Sequence, residues 1–187
     1  MEYAFRKSAL EKEKTYALTK EGIEVTDHEG NKTMHHYSDV SKVNTSYAAS
    51  KNNSFYQCEL KMASGPSLQL KSQHYRGLAD FEDRNEAYRE FVTALHKLLA
   101  AANPNVAYKK GISVAVYIAS MAIFIIAGIL FPIIAIFALI AGSTIYGIIG
   151  IIGSLFLIIR MVTYSKKNKP GNYEPDNIPP NLLPAIG

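Results

Sequence analysis

Over residues 111–159 the chain contains no Asp, Glu, Lys, Arg, His, Asn or Gln, and this one stretch limits what the remainder can be. A helix crosses the hydrocarbon core of a bilayer with about 20 apolar residues. The stretch is too long for one crossing and long enough for two. No water is available in that core, so each backbone N–H and C=O must find a partner within the chain, and helices provide one locally. The sequence therefore predicts a two-helix transmembrane hairpin over 111–160. Its first span is expected near 111–130 and its second near 138–160. The turn is expected at Phe131-Pro132, because proline lacks the N–H and breaks a helix more readily than its neighbours. The alternative is that Pro132 only kinks a longer first helix and the turn falls at 141–144. The first placement is preferred because the second leaves a short return span.

Charge patterning supplies an orientation. Lys and Arg balance Asp and Glu over residues 1–104. The net charge of +4 therefore arises later, from Lys109, Lys110, Arg160, Lys166, Lys167 and Lys169 against Glu174 and Asp176. A nucleic-acid-binding domain carries its positive excess as a patch on the folded surface. Here the excess brackets the apolar stretch, so nucleic acid is not an expected partner. The positive-inside rule instead puts both ends of the hairpin in the cytoplasm. Tyr108 and Tyr164 then serve as aromatic anchors at the interface that also holds Lys109, Lys110, Arg160, Lys166 and Lys167. The N-terminus has neither the apolar core nor the cleavage pattern of a signal peptide, so residues 1–104 are expected to stay on the side of synthesis. The expected location is the inner (plasma) membrane, multi-pass, with both termini cytoplasmic. The single cysteine, Cys58, has no disulfide partner within its own chain.

Residues 1–104 read as a mixed α+β domain. After a charged segment to about residue 13, expected as a short helix or loose arm, the apolar residues recur with period two. Tyr16 and Leu18, Ile23 and Val25, then Tyr56, Cys58, Leu60 and Met62, and finally Leu68 and Leu70 alternate with polar neighbours. Lys20-Glu21-Gly22, His28-Glu29-Gly30-Asn31, a polar loop over 49–54 and Ser64-Gly65-Pro66 punctuate them. Short one-faced strands with a turn about every eight to twelve residues describe an antiparallel meander. The period then becomes helical: Tyr88, Phe91, Val92, Leu95, Leu98, Leu99 and Ala102 share a face. Asp83 and Glu86 have capping-box spacing, and Asn103-Pro104 stops the helix. Tyr16, Leu18, Val25, Tyr56, Leu60, Leu70, Phe91 and Leu95 are the expected core. Residues 105–110 form a short linker and 161–187 a Pro/Asn-rich cytoplasmic tail.

This order, roughly six or seven strands and then one helix, resembles the pleckstrin-homology-like (PH-like) fold. Tyr37-Ser38-Asp39-Val40-Ser41-Lys42-Val43 is similar to segments entering the fourth strand of bacterial PH-like domains. The resemblance covers about residues 12–104 and implies an antiparallel β-barrel or sandwich closed by the C-terminal helix. Joined to transmembrane helices, it implies a bacterial membrane protein. The chain differs from eukaryotic members in having no Trp. It differs from phosphoinositide binders in lacking a Lys/Arg cluster in its first two hairpin loops.

The search for chemistry is short. His35 and His36 are consecutive in a strand and point to opposite faces, so they cannot chelate one ion; no metal or cofactor is expected. No nucleophile-and-base or phosphate-loop motif is present, and the chain is read as non-catalytic. The polar residues of the membrane stretch are serines, a threonine and two tyrosines, whereas ion pathways need ionisable groups. Ser143, Gly147, Gly150 and Ser154 line one helix face with small residues, and Ala115, Ala119 and Ala122 do the same on the first span. Such stripes pack helices closely, either on each other or on a second chain. In the tail, Ile178, Leu182, Leu183 and Ile186 read as apolar hooks for a partner. The function expected is that of an accessory or scaffold subunit that meets protein partners in a membrane complex or homo-oligomer. A lipid-headgroup sensor and a transporter subunit are the alternatives.

Overall fold

The computed structural model describes residues 1–49, 54–78 and 80–185. The polar loop expected over 49–54 lies mostly outside the described residues. The chain divides into two units. One comprises Met1–Gly111 together with the chain from Gly171 onward, and the other is Ile112–Pro170.

The first unit is β-rich. Strands β1 (Glu2–Phe5), β2 (Lys14–Leu18), β3 (Gly22–Thr26) and β4 (Lys32–His36) form an antiparallel four-stranded sheet in that order. A 3-10 turn at Tyr37–Asp39 leads into β5 (Val40–Ala49), which pairs with β6 (Ser54–Met62), and β6 pairs with β7 (Leu68–Lys71). Strands β8 (Gln73–Gly77) and β9 (Asp80–Asp83) make a separate hairpin, followed by helix α1 (Asn85–Ala102). Two strands outside the sequence reading complete the second sheet. Strand β10 (Ala107–Lys110) lies parallel to β5, and β11 (Gly171–Asn172) lies antiparallel to β10. The order is β11-β10-β5-β6-β7. Among the described residues no ladder joins the two sheets, so the expected barrel does not close.

Side-chain alternation explains which face each strand buries. Tyr3 and Phe5 of β1, Tyr16 of β2, Ile23 and Val25 of β3, Val43 of β5, Cys58 and Leu60 of β6 and Leu70 of β7 enter one core. Helix α1 covers it with Tyr88, Phe91, Val92, Leu95 and Leu99, as its i, i+3, i+4 spacing requires. Leu18 and Tyr56, expected inside, pack at its margin. The residues before Lys14 are not a helix or arm. Tyr3 and Phe5 alternate with Glu2 and Ala4, and the Tyr3 ring sits 5.6 Å from Phe91. The capping box also fails to form. Arg84 is the residue before the helix and makes no side-chain cap, because Asp83 belongs to β9 and accepts from Gln73 Nε2 at 3.1 Å. The helix stop is as expected, and Asn103 does more than end it. Its Nδ2 donates to the carbonyls of Tyr37 and Val40, both at 3.0 Å, tying the helix end to the sheet junction.

The second unit is a pair of helices, α2 (Val114–Ile140) and α3 (Thr144–Asn168), both long and apolar enough to cross a membrane. Phe131-Pro132 is not the turn. Pro132 lies inside α2, and the chain reverses after Ile140. Gly142, at φ +79, makes this possible. The Gly142 N–H donates to Leu139 O at 3.0 Å and the Ser143 N–H to Ala138 O at 2.8 Å, the paired bonds of a Schellman ending. Proline costs a helix one hydrogen bond, whereas a glycine at positive φ lets the chain reverse with its end carbonyls paired, so the helix runs through Pro132 and stops at the glycine. The return helix α3 continues past Arg160 to Asn168, although its apolar run ends at Ile159.

Phe91 is fully buried and Leu98, on the same helix, is 38% exposed. Phe91→Ala is therefore expected to cost about 3–5 kcal/mol of stability, and Leu98→Ala well under about 1 kcal/mol. Thermal unfolding of both variants, followed by near-ultraviolet circular dichroism, checks this. Equal losses would contradict the assigned helix face.

Candidate functional site: the root of the hairpin and its seam

The chain leaves the first unit at Gly111 and returns at Gly171, and these residues adjoin one another in the second sheet. Lys109 pairs with Asn172 and Lys110 with Gly171. The Lys109 ammonium donates to Asn172 Oδ1 at 2.8 Å, and Gly111 N–H donates to Thr45 O at 2.9 Å. Residues 105–110 are thus not merely a linker: four of them are a sheet strand.

Behind the strand pair lies a buried polar chain. The Nδ1 of His96 is 2.7 Å from Val92 O. A carbonyl only accepts, so Nδ1 carries the proton and Nε2 is left as an acceptor. The Tyr173 hydroxyl, 2.7 Å from Nε2, therefore donates to it and receives from Thr45 Oγ1, also at 2.7 Å. Tyr108 packs into the same cluster, its ring tilted against His96 at 5.4 Å and edge-on to Tyr173 at 5.8 Å. Burial holds His96 neutral and lowers its pKa to about 4. Burial also pushes the Cys58 thiol up to about 12, which keeps it from acting as a thiolate near neutral pH. No group of His, Cys, Asp and Glu suited to a metal occurs among the described residues.

Beyond Tyr173 the tail stays on the domain. Asn177 N–H closes a turn on Glu174 O at 3.0 Å, and a 3-10 turn at Pro180–Leu182 packs against β5. Leu182 is fully buried, Leu183 joins the core and Ile178 packs at its edge. Arg89 of α1 donates to Pro184 O at 2.7 Å. The apolar hooks of the tail therefore hold its own domain, while Ile186 lies outside the described residues. Tyr108, read as a membrane anchor, is in the domain core. The signal for this was available in Tyr173, a lone aromatic among prolines, but nothing local identifies its partner as a histidine 77 residues away in the chain.

In the helical unit, Gly147 and Ser154 are buried and Gly150 faces α2. A Cβ on Gly147 would collide with Leu139, and one on Gly150 would lie 2.6 Å from Ala135 Cβ. Small residues thus let the helix axes approach. Their counterpart is Ala135, buried to 1%. Ala115, Ala119 and Ala122 are exposed on another face of α2, so they do not form the expected matching stripe. Ser143 precedes α3 without capping it. Toward the open end the seam becomes polar. Tyr117 OH and Ser165 Oγ are 2.7 Å apart, and Tyr164 OH donates to Ser120 Oγ at 3.2 Å. Tyr164 is therefore a seam residue. Lys166 and Lys167 lie in the last turn of α3, and Arg160 is exposed beside Phe156.

No protein-family model matches the chain, and comparison with curated proteins and with solved structures gives no match.

A neutral buried His96 makes stability depend on pH in one direction. Below about pH 6.5 the unfolded chain takes up a proton that the folded domain refuses until about pH 4. Stability is then fully present above the unfolded pKa and falls on acidification by about 1.4 kcal/mol per pH unit, or about 2 kcal/mol by pH 5. His96→Gln is expected to be less stable at pH 7 and to lose this slope. Unfolding of both proteins at pH 7 and pH 5 measures it, and equal slopes would contradict the assignment.

Proposed function

We propose that this chain is a non-catalytic integral membrane interaction protein. In this reading it is an accessory or scaffold subunit that holds a PH-like module against the cytoplasmic face of a bacterial inner membrane and presents it to a larger complex. The observation that carries the reading is the root of the hairpin. Two helices long and apolar enough to span a bilayer begin and end in neighbouring strands of one sheet. An anchor at one terminus joins its domain at a single point, whereas this helical pair joins its domain at two neighbouring strands. A two-helix crossing also returns to the side on which it began. The charges agree with that geometry, since Lys166 and Lys167 end α3 and the Gly142 turn has none nearby.

The helices are not the hidden core of a soluble fold. Side chains such as Ile140 and Ile145 are 77% and 72% exposed, a surface suited to lipid or to other helices. The PH-like reading draws support from the four-stranded sheet, the β5–β7 sheet and the covering helix, in that chain order. The lipid-sensor alternative is weakened by charge. The β6–β7 turn, with residues of the β1–β2 and β3–β4 hairpins, lines a cavity of about 340 Å³ in which Lys7 and Lys14 are matched by Glu11 and Asp27. That lining has no positive excess with which to hold an anionic headgroup.

Purification of the full chain from its native membrane in polymer discs tests the reading. A protein partner in fixed stoichiometry, retained in discs with and without anionic lipid, is the expected result. A lone chain whose recovery or thermal stability depends on anionic lipid would favour the headgroup sensor and overturn the proposal.

A further inference from the structure

The two helices disagree about where the membrane ends. Helix α2 is apolar over its 27 residues, ~40 Å at 1.5 Å per residue, and Val114, Val116 and Ile118 at its start are each more than half exposed. On α3 the apolar run from Thr144 ends at Ile159, which leaves only ~24 Å before Arg160. The helices are level at their open end, where Ile112 N–H donates to Asn168 O at 3.2 Å and Tyr117 meets Ser165. Arg160 therefore lies ~12 Å along the hairpin from that end. A hydrocarbon slab ~30 Å thick that covers α2 from Val114 submerges Arg160, whereas one whose edge lies at Arg160 leaves Val114, Val116 and Ile118 in water.

The side chain does not resolve the conflict by reaching for the open end. Its guanidinium carbon lies 5.0 Å from the centroid of the Phe156 ring, one turn closer to the Gly142 bend. Cation–π contact weakly compensates a charge removed from water. The helical unit itself holds no counter-charge, because no Asp or Glu occurs between Glu90 and Glu174. The hairpin of a second copy lacks one for the same reason.

We propose that Arg160 is the docking point for a membrane-spanning helix of a different protein, which brings an Asp or Glu carboxylate to the guanidinium. The inference rests on the accessory-subunit reading and names the chemistry of the partner. A planar guanidinium binds a carboxylate through two parallel hydrogen bonds, and in apolar surroundings such a pair selects its partner strongly. Phe156 and Thr163, exposed one turn to either side, border the contact.

A photo-reactive residue replacing Thr163 in the full chain, activated in native membranes, tests this. The expected crosslink is to a membrane-spanning peptide with an Asp or Glu within about one helical turn of the attachment point. Arg160→Glu should lower the yield by about tenfold or more, and reversing that acid to Arg in the partner should restore it. Arg160→Gln, which adds no acid to the apolar segment, should lower the yield without loss of membrane insertion. Crosslinks to lipid alone, unchanged in Arg160→Gln, would overturn the proposal in favour of a phosphate headgroup. A protein crosslink and a co-purified partner both unaffected by Arg160→Gln would overturn this docking point while leaving the accessory-subunit reading intact. The absence of any protein partner in crosslinking and purification would remove both.

Discussion

The pairing of β10 with β11 is the contact that closes the first unit across the point where the two helices are inserted in the chain. It is only two residues deep, Lys109 with Asn172 and Lys110 with Gly171. A ladder that short does not hold by itself. It persists because β10 also pairs with β5 and because Tyr173, immediately after β11, is bonded to His96 and Thr45 inside the domain. Seen from the domain, the membrane hairpin is an insertion into the turn between two neighbouring strands. The domain is completed by chain that follows the second of the two apolar helices.

Different contacts hold the two units. In the helical pair the outward faces are apolar all round, so small residues and hydroxyls decide which faces meet. Gly147 and Gly150 admit Ala135, and Tyr117, Ser120, Tyr164 and Ser165 pair off near the open end. In the domain, water makes burial the driving force, and the expensive groups are polar ones. The imidazole of His96 is tolerated because both ring nitrogens have partners, one of which arrives only with the tail. A domain ending at Asn103 would leave Nε2 of that ring without its donor and the site of Leu182 open.

Much of this was legible in the chain itself, and what was missed was missed for physical reasons. The two-helix segment and the apolar face of α1 follow from local periodicity, which sequence carries directly. Tyr3 and Phe5 alternate as clearly as Tyr16 and Leu18, but four residues beside a charged segment give a weak signal. Pro132 reads locally as a break, yet inside a long helix it costs about one hydrogen bond, and Gly142 at positive φ offers a cleaner reversal. The tail was the larger gap. Its prolines do not show the turns at Glu174–Asn177 and Pro180–Leu182, and Leu182 and Leu183 are visible as apolar residues, but their burial is a long-range contact with no local trace. Strand β10 was hidden for the same reason, since Ala107-Tyr108-Lys109-Lys110 resembles a membrane-flanking anchor more than a strand.

The central claim, that the hairpin is an insertion rooted in a two-strand turn of an otherwise complete domain, is tested most directly by removing it. Residues 112–170 are replaced by a turn of about two to four residues joining Gly111 to Gly171, and amide exchange and unfolding of the product are measured in buffer without detergent. The account predicts a soluble monomer that unfolds cooperatively, with slow exchange at the amides of Gly111 and Tyr173. A second protein truncated after Gly111 should be much less stable. A joined protein that aggregates or lacks a cooperative transition, or a truncated protein as stable as the joined one, would contradict it.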